Sequence, residues 1–168
     1  MPFRSWLHRM FIDPEFEKAV DFLSRIPVFQ GLSKHELGNL LGIMYTKTYP
    51  AAEVVFQEGE TGRALFIVES GEVAVIKSPQ PAPGHPEERI IARLGLGGFF
   101  GEMALLEELP RSATVKTTAA SVLRFVYKAK LDAFVTKHPR TGVKILHNLA
   151  KVLSSRLRET SESYARHL

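Results

Sequence analysis

The chain of 168 residues is 45% hydrophobic, which is enough for one well-filled core but leaves no room for a second large domain. The absence of cysteine excludes disulfides and thiolate metal sites and favours a cytoplasmic location, and the six histidines are too scattered for a zinc or iron site. The net charge is +4, with the basic residues concentrated at the two ends. There they suit a membrane surface, nucleic acid or an acidic partner, or more commonly a solvated helix face.

The first twelve residues are apolar and basic, but Arg4, His8 and Arg9 interrupt the apolar run, so a signal peptide is disfavoured. No run of ~18 apolar residues occurs elsewhere, and no transmembrane segment is therefore expected. If the first segment is helical, one face is apolar and suits packing on the domain itself or docking to a partner. That face comprises Phe3, Trp6, Leu7, Met10 and Phe11.

Two short helices are predicted next. Asp13-Pro14-Glu15 supplies a cap, a first-turn proline and an acidic first turn, and the helix that it begins ends before Pro27. Ser33, followed three residues later by Glu36, predicts a capping box at the start of the second helix.

From residue 44 the chain changes to short strand-like segments separated by glycine turns, which predicts a sandwich or roll. The segment 78–88 contains four prolines and is expected to be a surface insertion. The predicted strands are 45–49, 54–57, 64–69, 72–77, 89–94, 113–117 and 122–127.

The segment 97–115 combines glycines, a helix-competent run, a carboxylate and an arginine. Residues 103–109 are long enough for about two helical turns, whose first backbone N–H groups attract anions. Pro110 ends that helix and turns the chain back, so that Arg111 can offer its planar fork of donors to a phosphate. Glu102 would repel an anion but can accept a hydrogen bond from a sugar hydroxyl. Alternatively, Glu102 and Arg111 form only a surface pair, worth ~0–1 kcal/mol.

The chain is predicted to end in two helices, over 128–137 and about 141–164. The apolar stripe of the second helix suits packing on this domain or the seam of a two-helix dimer. It comprises Ile145, Leu146, Leu149, Val152, Leu153 and Leu157.

The run from Phe100 to Val115 resembles the phosphate-binding cassette of cyclic-nucleotide-binding domains of the catabolite-activator and protein kinase A regulatory-subunit type. It meets the pattern Phe-Gly-Glu-x-Ala-Leu-Leu, a short spacer and Pro-Arg-x-Ala-Thr-Val. The resemblance implies that Glu102 binds the ribose 2′-hydroxyl, that Arg111 neutralises the cyclic phosphate and that Gly101 allows close backbone approach. The other expected cassette residues are Met103, Ala104 and Ser112, the last two through nearby backbone amides.

The resemblance covers about 25–140 and implies a mainly β fold: an antiparallel β-roll of the double-stranded jelly-roll type, with N-terminal helices, a short cassette helix and C-terminal lid helices. The expected domains are an N-terminal helical extension (1–24), the β-roll (25–140) and a lid helix (141–168). Val75 and Ala92 are expected to line the base of the nucleotide. The candidates to cap that base from the lid are Leu153, Arg156 and Leu157.

The implied function is that of a sensor without catalysis, which binds cyclic AMP or cyclic GMP, needs no cofactor or metal, and signals through its last helix to an effector protein or a second copy. Ser112 favours cyclic AMP, because serine at this position accompanies cyclic AMP in bacterial family members. One alternative is a transcription regulator of the catabolite-activator type without its DNA-binding domain, since only about 30 residues follow Pro139. Direct DNA binding is therefore not expected. A second alternative, a small cupin-like enzyme, is disfavoured because histidine and acidic ligands do not cluster.

Overall fold

The computed structural model of the chain describes residues 13–77, 89–106 and 109–165. The predicted amphipathic segment 1–12 and the proline-rich loop 78–88 lie outside the described residues. The chain divides into two compact units, one formed by Met1–Gly42 with Ala133–Leu168 and the other by Ile43–Asp132. No helix in the described ranges is both long enough and apolar enough to cross a membrane.

The first unit is helical, and its two N-terminal helices begin as predicted. The Asp13 carboxylate accepts hydrogen bonds from the backbone N–H groups of Glu15 and Phe16, which caps the first helix. The predicted capping box is confirmed, since Ser33 and Glu36 each accept a hydrogen bond from the other's backbone N–H. The helices are α1 (Pro14–Ser24), a 3₁₀ turn (Pro27–Phe29) and α2 (Lys34–Leu41).

Two more helices follow the strands: α4 (Lys128–Lys137), which crosses the boundary between the units, and α5 (Pro139–Ala165). Helix α5 begins two residues before the predicted 141, because proline is favoured at the first position of a helix. It packs on the 3₁₀ turn. Of its predicted apolar stripe, Ile145 and Leu149 are buried, whereas Leu146 and Leu157 are exposed.

Polar side chains also attach α5 to the N-terminal part of the helical unit. The Glu36 carboxylate accepts hydrogen bonds from Thr141 Oγ1 at 2.9 Å and from Lys144 Nζ at 2.9 and 3.0 Å. Asn148 Nδ2 donates to the backbone oxygens of Gln30, at 2.8 Å, and Val28, at 3.3 Å. The start of α5 is thus bound to residues more than 100 positions earlier in the chain.

The second unit contains two antiparallel sheets of four strands each, in the orders β1-β8-β3-β6 and β2-β7-β4-β5. A one-turn helix, α3 (Met103–Leu106), follows β6. The strands are β1 (Tyr45–Tyr49), β2 (Val54–Phe56), β3 (Ala64–Ser70), β4 (Val73–Lys77), β5 (Arg89–Leu94), β6 (Phe99–Phe100), β7 (Thr114–Thr117) and β8 (Ser121–Tyr127).

The core of this unit lies between the two sheets, because its buried cluster takes side chains from both of them, including Leu123 and Val115. An aromatic ladder crosses the first sheet, with ring centroids 5.7 Å apart between Tyr45 and Phe125 and 5.3 Å apart at each of the next two steps. The ladder residues, in order across β1, β8, β3 and β6, are Tyr45, Phe125, Phe66 and Phe100.

The predicted fold class, mainly antiparallel β with flanking helices, is confirmed. Each of the seven predicted strands is present, with ends that differ by at most one residue. Strand β6 was not predicted, since two phenylalanines are too few to show an alternating pattern.

Candidate functional site

The backbone of Arg111 is fixed by the turn that follows β2. Its N–H group donates to the backbone oxygen of Glu60 at 2.7 Å, and its own oxygen accepts a hydrogen bond from the Gly59 N–H group at 2.9 Å. An isolated antiparallel bridge joins Thr61 to Pro110 next to it. Pro110 therefore brings Arg111 back against this turn, as expected from the helix-breaking role of proline.

The Arg111 side chain is half-buried and held on two sides. Its Nη2 group donates to the backbone oxygen of Ala64 at 3.1 Å. Its Cζ atom lies 4.0 Å from the centroid of the Phe56 ring and 5.8 Å from that of Phe66. A cation stacked on an aromatic face is stabilised by the ring quadrupole, so Phe56 and Ala64 together define where the guanidinium group lies.

Two glycines leave room for this guanidinium group. A Cβ atom at Gly101 would lie 2.6 Å from Arg111 Nη1 and 2.8 Å from the backbone oxygen of Ala64. Gly101 also has a φ of +77°, which side chains disfavour. A Cβ atom at Gly62 would lie 3.1 Å from Arg111 Cζ and 3.0 Å from Ala104 Cβ. The slot that holds Arg111 thus requires glycine at Gly101 and leaves little space at Gly62.

Glu102 is buried, with 6% of its surface exposed. Burial lowers the pKa of Arg111, and the negative charges of Glu60 and Glu102 raise it. Arginine remains protonated under these opposing effects, because its ordinary pKa is far above neutrality. The alternative of a surface pair between Glu102 and Arg111 is excluded by the burial of Glu102. The site therefore contains a fixed cation with a buried carboxylate close enough to act on it.

The helix predicted over residues 103–109 was too long. Among the described residues, helix α3 covers Met103–Leu106, and Leu109, the next one described, is not helical. The N–H group of Ala104 donates to the backbone oxygen of Gly101 at 3.2 Å, which closes the turn that leads into the helix. Ala104 is buried and Met103 is exposed.

Ser112 is exposed, and its backbone oxygen accepts a hydrogen bond from Lys77 Nζ at 2.7 Å. Lys77 also forms an ion pair with Glu58. Neither charged residue was predicted at the site, and neither were Phe56 and Gly62. All four are distant from the cassette in sequence, and only strand pairing could have located them.

The two residues predicted to line the base are partners across β4 and β5. Val75 is half-buried against the core of its unit, and Ala92 is exposed. The three lid candidates lie on α5 in the helical unit, where Leu153 and Arg156 are half-buried and Leu157 is exposed. Their roles toward a ligand remain predictions.

Comparison with known proteins supplies the context for this site. The chain is 34% identical to the cyclic AMP receptor protein of Thermus thermophilus over 133 residues, which are 79% of this chain and 58% of that protein. It is 32% identical to the cAMP-dependent protein kinase regulatory subunit of Mycosarcoma maydis, over 83% of this chain and 24% of that protein. The chain thus spans less than two thirds of these curated relatives.

A solved structure also resembles the fold: the crystal structure of a cyclic nucleotide-binding domain from Methylobacillus flagellatus has a TM-score of 0.78 and 28% identity. The match covers 93% of this chain and 85% of that one. The family model described as the cyclic nucleotide-binding domain matches residues 46–138, which include both sheets and the Arg111 site. The chain therefore belongs to the cyclic nucleotide-binding domain family.

Proposed function

We propose that this chain is a sensor that binds cyclic AMP, with cyclic GMP as the weaker ligand, and performs no catalysis. The observation that carries the proposal is a guanidinium group at Arg111 held by the Ala64 backbone oxygen, with the buried carboxylate of Glu102 near enough for its negative charge to act on Arg111. A cyclic nucleotide has a phosphate beside a ribose 2′-hydroxyl, and these two groups need a cation and a hydrogen-bond acceptor side by side.

In this proposal Arg111 binds the cyclic phosphate and Glu102 accepts a hydrogen bond from the 2′-hydroxyl. Gly101 gives the ligand access to the backbone, with Met103, Ala104 and Ser112 around it. In the structure, the Ala104 N–H group donates to the backbone oxygen of Gly101. A phosphate that uses this group must therefore share or replace that hydrogen bond.

The base is proposed to lie against Val75 and Ala92, which the pairing of β4 with β5 sets side by side. Small apolar side chains offer a surface for a purine but no base-specific hydrogen bond. The preference for cyclic AMP therefore rests on Ser112, and substitution of Ser112 by threonine is expected to shift it toward cyclic GMP.

The output is proposed to pass through α5 to a second copy of the chain or to an effector protein. Leu153, Arg156 and Leu157 would cap the base when α5 closes, and the ligand moves α5 only if it binds the closed state more tightly. A second copy is supported by Val143, Leu146 and Ala150, which are exposed and separated by three and four residues as in a coiled coil. Sedimentation with and without ligand would detect that dimer. A cytoplasmic location is part of the same proposal.

The test is calorimetric titration of the chain with each cyclic nucleotide, in the wild type and in Arg111→Ala. We expect the wild type to bind cyclic AMP, and the variant to lose ~1.5–3 kcal/mol of binding free energy, about ten- to hundredfold in affinity. Binding of neither nucleotide below millimolar concentration would contradict the function. Full affinity in Arg111→Ala would contradict the assigned site.

A second candidate is the ligand-binding part of a transcription regulator of the catabolite-activator type. Its support is the identity of 34% to the cyclic AMP receptor protein, of which this chain matches 58%. Titration of the chain with duplex DNA at low and high salt tests this candidate in one direction. Salt-dependent binding of the chain to DNA would favour the regulator over a sensor that acts only through another protein.

A further inference from the structure

The ring of Phe56 lies under the guanidinium group that the proposed ligand would contact. The distance of 4.0 Å between Arg111 Cζ and the ring centroid is that of direct stacking. Phe56 belongs to β2, and Arg111 lies 55 residues later, after the cassette helix. The contact therefore depends on the pairing of β2 with β7, which brings Phe56 opposite Val115.

The Phe56 ring is itself fixed. Its centroid lies 5.8 Å from those of Phe66 and Phe100, and these two rings stack on each other at 5.3 Å. Aromatic side chains have few rotatable bonds, and contacts on two sides leave Phe56 little freedom. The guanidinium group therefore stacks on a ring that is already part of the core.

Stacking suits a cation that has to bind an anion. A guanidinium group forms its hydrogen bonds in its own plane, whereas the Phe56 side chain, 4.0 Å from Arg111 Cζ, has no oxygen or nitrogen atom to accept them. A carboxylate in the same position would also hold Arg111, but it would occupy those donors and compete with the ligand. Phe56 can restrain Arg111 without that competition.

We propose that Phe56 is a positioning residue for ligand binding: it fixes the plane of the Arg111 guanidinium group before the cyclic phosphate arrives. This inference rests on the proposed function. An arginine that is already ordered loses less conformational freedom on binding than one that moves freely in solvent. Removal of the ring is therefore expected to weaken cyclic AMP binding through Arg111, by about three- to thirtyfold.

The experiment is a double-mutant cycle on Phe56→Leu and Arg111→Ala, with cyclic AMP as the titrant. We expect Phe56→Leu to weaken binding in the wild-type background and to have little further effect once Arg111 is absent. Phe56→Tyr keeps the aromatic face and should retain nearly full affinity. Val55→Ala is the matched control, because Val55 precedes Phe56 on β2 and packs against the same core.

The four proteins of the double-mutant cycle, namely the wild type, Phe56→Leu, Arg111→Ala and the double variant, are also unfolded in urea without ligand. A stacked pair should show a coupling free energy between Phe56 and Arg111 that is distinct from zero. Zero coupling in both cycles would overturn the inference, as would an equal loss of affinity in Val55→Ala or in Phe56→Tyr. If the wild type does not bind cyclic AMP, the proposed function fails, and the urea cycle alone decides whether Phe56 holds Arg111.

Discussion

The ammonium group of Lys77 donates a hydrogen bond to the backbone oxygen of Ser112 at 2.7 Å. Lys77 is at the end of β4, and Ser112 follows directly after Arg111. Lys77 also pairs with Glu58, whose backbone N–H group donates to Thr114 Oγ1 at 3.0 Å. The chain on the C-terminal side of Arg111 is therefore tied to two other segments of the β unit.

Substitution of Lys77 by methionine should weaken cyclic AMP binding by about three- to tenfold, the effect of losing roughly one hydrogen bond that orders the site. The free energy of unfolding should fall by less than about 1 kcal/mol, because the Lys77 side chain is 47% exposed. Titration calorimetry and urea unfolding measure the two quantities. Lys47→Met is the control, since Lys47 forms a comparably exposed pair with Glu53. Equal affinities of the two variants would show that Lys77 has no role at the site.

Gly101→Ala should lower both stability and ligand affinity. The new Cβ atom meets Arg111 Nη1 and the Ala64 backbone oxygen, and alanine is also strained at a φ of +77°. Gly31→Ala separates the two effects, because Gly31 has a φ of +75° but no atom within 4 Å of its added Cβ. Strain alone costs about 1–2 kcal/mol and should appear in both variants. Only Gly101→Ala should lose cyclic AMP affinity, and a similar loss in Gly31→Ala would argue against the slot around Arg111.

Glu36 makes the helical unit sensitive to acid. Partial burial raises the pKa of Glu36, but hydrogen bonds from the Ser33 backbone, Lys144 and Thr141 outweigh it and lower the pKa to about 2, from an ordinary value of 4.5. Because the pKa is lower in the folded state, the stabilisation is complete above pH 4.5 and is lost as the pH falls toward 2. Its size is up to about 3 kcal/mol at neutral pH.

Glu36→Gln should therefore have a lower free energy of unfolding than the wild type at pH 7, and the difference in free energy should narrow between pH 4.5 and 2. Urea unfolding at a series of pH values measures this difference. Glu17→Gln is the control, because Glu17 forms only an exposed pair with Lys34 at 3.1 Å. A constant difference between wild type and Glu36→Gln across this range would mean that the charge of Glu36 does not matter.

Ala52→Gly should stabilise the protein. Ala52 has a φ of 65°, in the left-handed region that costs an alanine about 1–2 kcal/mol. Glycine removes this strain but has greater conformational freedom in the unfolded state, which offsets part of the stabilisation. We expect the free energy of unfolding to rise by about 0.5–1 kcal/mol. The melting temperature should rise with it, by roughly 2–4 °C for each kcal/mol. Ala51→Gly, at the neighbouring position without positive φ, should not stabilise. A lower melting temperature for Ala52→Gly would contradict this interpretation.

Local signals in the sequence were sufficient to predict most of the helices and strands. Asp13 and the Ser33–Glu36 box marked the starts of helices because caps act over three or four residues. The order of strands in the two sheets was not predictable in this way, since β2 pairs with β7 across about 60 residues. The length of α3 was overestimated, because a helix-competent composition does not determine where a four-residue turn stops.

At the site, Arg111 and Glu102 were identified from their own segment, and the burial of Glu102 agrees with a role beyond a surface pair. Phe56 and Lys77 were missed, because each contacts the cassette only through the packing of distant strands. The backbone oxygen of Ala64 was missed for a further reason. Every residue has such an oxygen, and only its position in the folded chain makes it a partner of Arg111.

The aromatic ladder of the first sheet provides an optical probe of the β unit. Tyr45 begins the ladder, and Tyr49 and Tyr127 belong to the same unit, so three of the four tyrosines of the chain lie there. Helices α1, α2 and α5 lie in the other unit. Near-ultraviolet circular dichroism in the tyrosine region should therefore follow the β unit, while far-ultraviolet circular dichroism, to which helices contribute most, should follow mainly the helical unit. Mismatched unfolding curves from the two signals would reveal that the units melt in separate steps.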